Sequence, residues 1–271
     1  MRTACLAAAG PAFAFADTPA IAALKNRRAE ARPIPNDERL VRVERAQRLM
    51  RQNHLGAIVL GGGTSLFYFS GVRWGVSERL LVMILPAQGE PFFVTPAFEK
   101  GRALELISDG PFGPSAHIFT WEEDVSPYTV VAMAMKERGL ATARIGMEER
   151  NPFVFASGIG QALPGATILS ATPVTAGCRM IKSANEIALM RLANSVTLQA
   201  YEAAWKSMRD GMTQPEFGGL IAAAYEKLGF RGEASVFVGE GSALPHGSRR
   251  PQVIRENTIM MIDDGCSVEG Y

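Results

Sequence analysis

The stretch Val236-Phe-Val-Gly-Glu-Gly-Ser-Ala-Leu-Pro-His246-Gly247, continued by Thr258-Ile-Met-Met-Ile-Asp263-Asp-Gly265-Cys-Ser-Val-Glu-Gly270-Tyr271, decides how the chain is read. Val236 to Val238 and Thr258 to Ile262 are short apolar runs that predict two strands. Asp263 stands at the end of the second strand, and Gly265 lets the backbone bend straight after it. A carboxylate closing a buried strand is costly unless a cation meets it, an arginine or a metal ion. The plainer alternative is an aspartate that caps the following turn. Asp264 alternates to the opposite face of the strand. His246 precedes a basic loop and sits in a Pro-His-Gly turn.

Upstream, two helices lead into these strands. Ala184 to about Met208 carries Ile187, Met190, Leu192, Val196 and Ala200 at helical spacing. Before it, Cys178-Arg179-Met-Ile-Lys182-Ser183-Ala-Asn-Glu186-Ile187 has the form of a capping box, with Ser183 as N-cap and Glu186 three residues on. Gly211-Met-Thr213-Gln-Pro-Glu216 restarts the chain as a second helix, with Thr213 as N-cap, Pro215 in the first turn and Gly229 as the stop.

Farther back, strands and helices alternate. A helix over Arg39–Gln52, capped by Asn36 or Asp37, is followed by a strand at Gly56–Leu60. Further strands are expected at 80–85, 91–95, 116–120, 143–148 and 168–172, and helices at 96–108, 128–139 and 151–163. This pattern predicts an α/β layer domain with a largely parallel or mixed sheet. Gly61-Gly-Gly63 follows a strand but lacks the Lys-Ser/Thr of a phosphate loop. Thr172 to Gly177 reads as the boundary to the second half.

Taken together, Pro-His246-Gly, Asp263-x-Gly-x-x-x-x-Gly-Tyr271, Arg179-x-x-Lys-Ser-x-x-Glu-Ile187 and Gly211-x-Thr-x-x-Glu216 resemble the creatinase, aminopeptidase P and prolidase family of pita-bread metallohydrolases. Leu66-Phe-Tyr-Phe-Ser-Gly71 resembles that family's Tyr-x-Ser-Gly turn, and the likeness runs from about Asp37 to Tyr271. It implies a creatinase-like α/β front domain, with a mixed sheet and helices on both faces, over 37–176. The start of an α+β pita-bread domain follows over 177–271. It implies metal-dependent hydrolysis of peptide bonds next to proline, with Asp263 as a metal ligand and His246 as the catalytic, substrate-binding histidine over the scissile bond. The implied cofactor is a pair of divalent ions, manganese first, with cobalt or zinc as alternatives. The family's second Asp ligand comes three residues after the Gly-Tyr, and one His and two Glu come later still. The expectation is therefore a C-terminally truncated fragment, inactive by itself and poorly protected after about Gly177. When complete it would pair as a homodimer acting on a proline-containing peptide. Two other readings stay open: a creatinase-type amidine hydrolase, and a non-catalytic peptide-binding module.

Composition is compatible with this and excludes little else. The 271 residues are 47% hydrophobic and 20% charged, with a formal net charge of +1, so nothing points to nucleic acid as a partner. Cys5, Cys178 and Cys266 show no metal or disulfide spacing, and the last two read as small buried hydrophobes. Met1–Ala16 has one arginine, a small-residue apolar run and Ala-Phe-Ala cleavage sites. It reads as an export signal too short to span a bilayer, similar to the middle of a twin-arginine type. An Ala-rich tail on a cytoplasmic protein is the alternative to a periplasmic or secreted one. Residues 17–36 read as an arm or linker punctuated by prolines.

Overall fold

The computed structural model describes residues 18–248 and 250–271, in two units: residues 34–183, and residues 18–33 together with 184–271. The export-signal reading of residues 1–16 lies outside the described residues. Among those described, no helix is long and apolar enough to cross a membrane.

The front unit is built on a six-stranded sheet. Its strands are β1 (Ala57–Gly61), β2 (Val82–Pro86), β3 (Phe92–Pro96), β4 (His117–Trp121), β5 (Arg144–Met147) and β6 (Thr167–Ser170), in the order β4-β3-β2-β1-β5-β6. β2 is antiparallel to both neighbours, and every other pairing is parallel. β1, β2 and β3 are buried along their whole length, which is why they read as unbroken apolar runs rather than alternating ones.

One face of the sheet is covered by α2 (Asn36–Gln52), α3 (Thr64–Ser70), α4 (Lys100–Ser108) and α7 (Thr172–Arg179), through Val43, Met50, Leu66, Phe69, Ile107, Val174 and Cys178. The other face is covered by α5 (Pro127–Glu137) and α6 (Phe153–Ala162), through Val131, Met135, Phe155 and Ile159. The expected mixed sheet with helices on both faces is therefore present.

Two details differ from the sequence reading. α2 begins at Asn36 itself, with Pro35 as N-cap, and the Asn36 amide donates instead to the Asp109 carbonyl at 3.1 Å. Residues 172–177, read as a boundary, lie within α7. Its Val174 and Cys178 are wholly buried in the front core, where burial pushes the Cys178 thiol up to about 11. Ser183 Oγ donates to Glu38 Oε1 at 2.7 Å.

The second unit contains α1 (Pro19–Ala22), α8 (Ala184–Lys206), α9 (Gln214–Leu228) and a two-stranded antiparallel sheet, β7 (Gly232–Val238) with β8 (Met260–Cys266). α8 and α9 pack together, α9 also lying on β7 and α8 on β8. Val196, Phe217, Ile221, Tyr225 and Leu228 are essentially inaccessible to solvent. α9 starts with a complete capping box between Thr213 and Glu216 and stops at Gly229, whose φ is +87°. Positive φ costs glycine nothing and most other residues about 1 kcal/mol or more.

The proline-rich arm joins this unit. Ile21 is fully buried, Thr18 Oγ1 lies 2.8 Å from Ser207 Oγ, and the Arg27 amide donates to the Leu228 carbonyl at 2.9 Å. Arg28 pairs with Glu269 at 2.6 Å.

Candidate active-site face

The β7–β8 hairpin places the two residues singled out by sequence. Burial alternates along both strands. Gly232, Ala234, Val236 and Val238 face the helices, together with Met260, Ile262, Asp264 and Cys266. Glu233, Ser235 and Phe237, with Met261, Asp263 and Gly265, form the outer face.

Asp263 pairs with Ser235 and is exposed. This corrects two expectations. Asp263 does not close its strand, because β8 continues through Cys266 in register with β7 back to Gly232. Gly265 is a strand residue opposite Glu233, and nothing lies within 4 Å of where its Cβ would stand. The carboxylate is thus solvated on an open face rather than buried at a strand end.

His246 lies in an exposed turn closed by the Gly247 amide donating to the Leu244 carbonyl at 3.0 Å. Gly247 has φ +67°, and a Cβ there would run into the Phe237 ring. The turn therefore rests on the outer-face ring of Phe237, which pairs with Met261 two residues before Asp263. The structure brings the His246 turn and Asp263 to one face, with the Phe237–Met261 pair between them.

The basic loop between them is pinned by residues that nothing in their local sequence singles out. Gln214 and Gln252 bond reciprocally: the Gln214 amide to Gln252 Oε1 at 2.7 Å, and the Gln252 backbone amide to Gln214 Oε1 at 2.9 Å. Gln252 Oε1 also accepts from the Val238 amide at 3.1 Å. Two glutamines 38 residues apart have no local signature, so only the tertiary contact reveals them.

Behind Asp263, Asp264 points inward and accepts from the Tyr225 hydroxyl at 2.7 Å, while its other oxygen is buried with no partner. Burial holds the Asp264 carboxyl above the ordinary range despite the Tyr225 bond. It also raises Tyr225 and Cys266. Tyr201 is raised by burial first, then by the negative charges of Asp264 and Asp263. A cleft of about 1170 Å³ opens at the Gly232 end of the hairpin, lined by Arg28, Glu226, Arg231, Glu233 and Gly265 among others.

A divalent ion needs several oxygen or nitrogen donors converging on one point. Among the described residues, no group of three or more His, Cys, Asp or Glu gathers in that way. Asp263 is one donor on an open face, and the residues present do not by themselves fit a metal pair.

A mixed-sheet α/β unit followed by a helix pair and an antiparallel hairpin bearing an outward carboxylate is the order of the two-part pita-bread peptidases. The chain belongs to the creatinase/prolidase family: residues 42–181 match the creatinase/prolidase N-terminal domain, and residues 188–271 match metallopeptidase family M24. It is 28% identical over 256 residues to an uncharacterized peptidase of Schizosaccharomyces pombe, covering 89% of this chain and 54% of the relative. The crystal structure of dipeptidase PepE from Mycobacterium ulcerans superposes with a TM-score of 0.76 at 26% identity, covering 88% of this chain and 63% of that one. A Xaa-Pro dipeptidase from Bacillus anthracis, at 21% identity and TM-score 0.70 over 86% of this chain and 62% of that one, shares the fold. The chain spans about half of the length of the yeast relative and under two thirds of either structure.

Proposed function

We propose that these residues supply the front domain and the first part of the catalytic domain of a peptidase that hydrolyses short peptides, of dipeptidase or Xaa-Pro type. Asp263 serves as one ligand of a divalent-metal pair, manganese or else cobalt or zinc, and His246 faces the substrate. The observation that carries this reading is the shared outer face: a solvated carboxylate in mid-strand, and a histidine turn seated on the adjoining Phe237. An imidazole there can donate a hydrogen bond to a peptide carbonyl, and the Gln214–Gln252 pair holds the loop that delivers it. A bound divalent ion would lower the pKa of a coordinated water. By itself the 271-residue polypeptide is proposed not to hydrolyse peptides, since one carboxylate cannot fix an ion pair.

The test compares hydrolysis of Ala-Pro and Ala-Ala, with added Mn²⁺, by the natural protein that carries these residues and by the 271-residue chain. Asp263→Asn in the active protein should cost about 100-fold or more, and His246→Ala about 10²–10³-fold in kcat. Full activity in Asp263→Asn, or Mn²⁺-dependent cleavage by the 271-residue chain, overturns the corresponding part. The Met1–Ala16 pattern carries the further proposal of export. N-terminal sequencing of exported protein should then start just after Ala14 or Ala16.

A further inference from the structure

We propose that the cleft at the Gly232 end of the hairpin binds a zwitterion of dipeptide length, Arg231 taking its carboxylate and Glu233 its ammonium. This deepens the reading of the chain as part of a peptidase, and its bearing on hydrolysis rests on that reading.

The cleft, about 1170 Å³ in volume, is ample for a small ligand. Arg28, Glu226, Arg231 and Glu233 are its charged lining residues. Arg28 is already committed to Glu269, at 2.6 Å. The side chains of Glu226, Arg231 and Glu233 form no ion pair or hydrogen bond with any described residue. Elsewhere in the same unit exposed charges find local partners, as in Lys206–Glu202 at 2.6 Å and Arg27–Glu30 at 2.7 Å. Here a free cation and free carboxylates share one cavity without meeting, and a ligand carrying both signs satisfies them together.

Spacing narrows the ligand. Glu233 is on the outer face of β7, and Arg231 stands two positions before it. Positions two apart in extended chain are separated by about 6.8 Å. Two residues of extended peptide span about 7 Å, so the ends of a dipeptide match the separation of the two side chains. The floor between them is backbone. Gly232 lies between the two charged residues, and Gly265 pairs with Glu233 across the hairpin. Nothing lies within 4 Å of where a Gly265 Cβ would stand, so the space beside Glu233 is open to a peptide. The next outward-facing pair is Ser235 with Asp263, and a peptide seated here lies alongside that carboxylate. Glu226 is on α9, outside this register, which leaves Glu233 as the partner of the ammonium.

Binding can be measured without metal or turnover. Amide shifts of the isotope-labelled 271-residue chain are followed at low ionic strength, where exposed charges are least screened, and without divalent ions. Ala-Ala, N-acetyl-Ala-Ala and Ala-Ala amide are the probes. Ala-Ala should give saturable shifts at Gly232, Glu233 and Gly265, and each blocked peptide should bind about fivefold or more weakly. Arg231→Gln should erase the preference for a free carboxylate, and Glu233→Gln the preference for a free ammonium. Glu226→Gln should leave both preferences in place. Gly265→Val should fill the open space and abolish the response of Gly232 and Glu233 to Ala-Ala, while the amides of α8 keep their positions. If Ala-Ala gives no saturable shift, or the blocked peptides bind equally well, the charges are merely solvated and the proposal fails. A preference that survives its own glutamine variant, or that vanishes in Glu226→Gln, also overturns the assignment. If Gly265→Val does not fold, the exposed Arg231→Gln and Glu233→Gln variants decide. Hydrolysis that survives Asp263→Asn would remove the metal reading and leave this site standing, whereas loss of binding here leaves the Asp263 assay untouched.

Discussion

At the scale of single residues, the sequence points to Asp263 and His246 as candidates but not to how they are set. Asp263 and His246 stand out as candidates because they fall in the Asp-x-Gly and Pro-His motifs of the resemblance. The extent of β8 does not, since Gly265 after a short apolar run reads as a bend, and only pairing with β7 carries the strand onward. Gly232 is a similar case. Its Cβ would collide with the Tyr225 ring, and overpacking of this kind costs about 1–3 kcal/mol. Gly232→Ala should therefore lower the stability of the second unit by that order, measured by urea unfolding of the 271-residue chain.

Glu148, at the end of β5, allows a pH prediction. It is buried and accepts from the Ser65 hydroxyl at 3.0 Å. Burial nevertheless holds its carboxyl above the ordinary value of 4.5, against the opposing effects of Ser65 and Arg179. A raised folded value means the folded protein keeps a proton that the unfolded chain has released. Stability contributed by this group is thus present below 4.5 and is lost as pH rises through the folded value. Glu148→Gln should remove that slope, so its urea midpoint should rise relative to wild type as pH increases across the window. A constant difference between the two proteins would contradict this.

At the scale of elements, local rules and tertiary packing divided the work. α9 was readable from Thr213, Pro215 and Gly229, and the observed capping box uses Thr213 and Glu216, with the Thr213 amide donating to Glu216 Oε2 at 2.7 Å. Removing such a cap costs about 0.5–2 kcal/mol. Thr213→Ala should lower the thermal midpoint accordingly, while Thr213→Ser should keep most of it. α7 was missed because Thr172-Pro173 reads as a breaker, although proline is equally at home in a first helical turn. The segment packs closely on α2: a Cβ at Gly177 would be only 3.1 Å from the Leu49 side chain. That close approach cannot be read from residues 172–179 alone.

At the scale of the whole molecule, the first described residues and the last belong to one unit, with residues 34–183 between them in sequence. Closing so long an intervening segment costs entropy that grows only logarithmically with its length, so a modest set of contacts can hold the ends together. The arm supplies them through Ile21, wholly buried, through Arg27 bonded to the Leu228 carbonyl and at 2.8 Å to Ser195 Oγ, and through the Arg28–Glu269 pair. The ion pair is half-exposed on the arginine side and is worth little by itself. The buried isoleucine dominates, because truncating such a side chain typically costs about 2–5 kcal/mol. The expectation of weak protection after Gly177 rests on an open strand edge; α8 and α9 enclose a core of their own, and the arm contributes Ile21 to it. Ile21→Ala should therefore accelerate amide exchange across α8, α9 and β7 while leaving β1, β2 and β3 at wild-type rates. Arg28→Ala should change either set by less than about tenfold. Equal loss of protection in both units after Ile21→Ala would mean that the arm stabilises the chain globally rather than through the helix pair on which it lies.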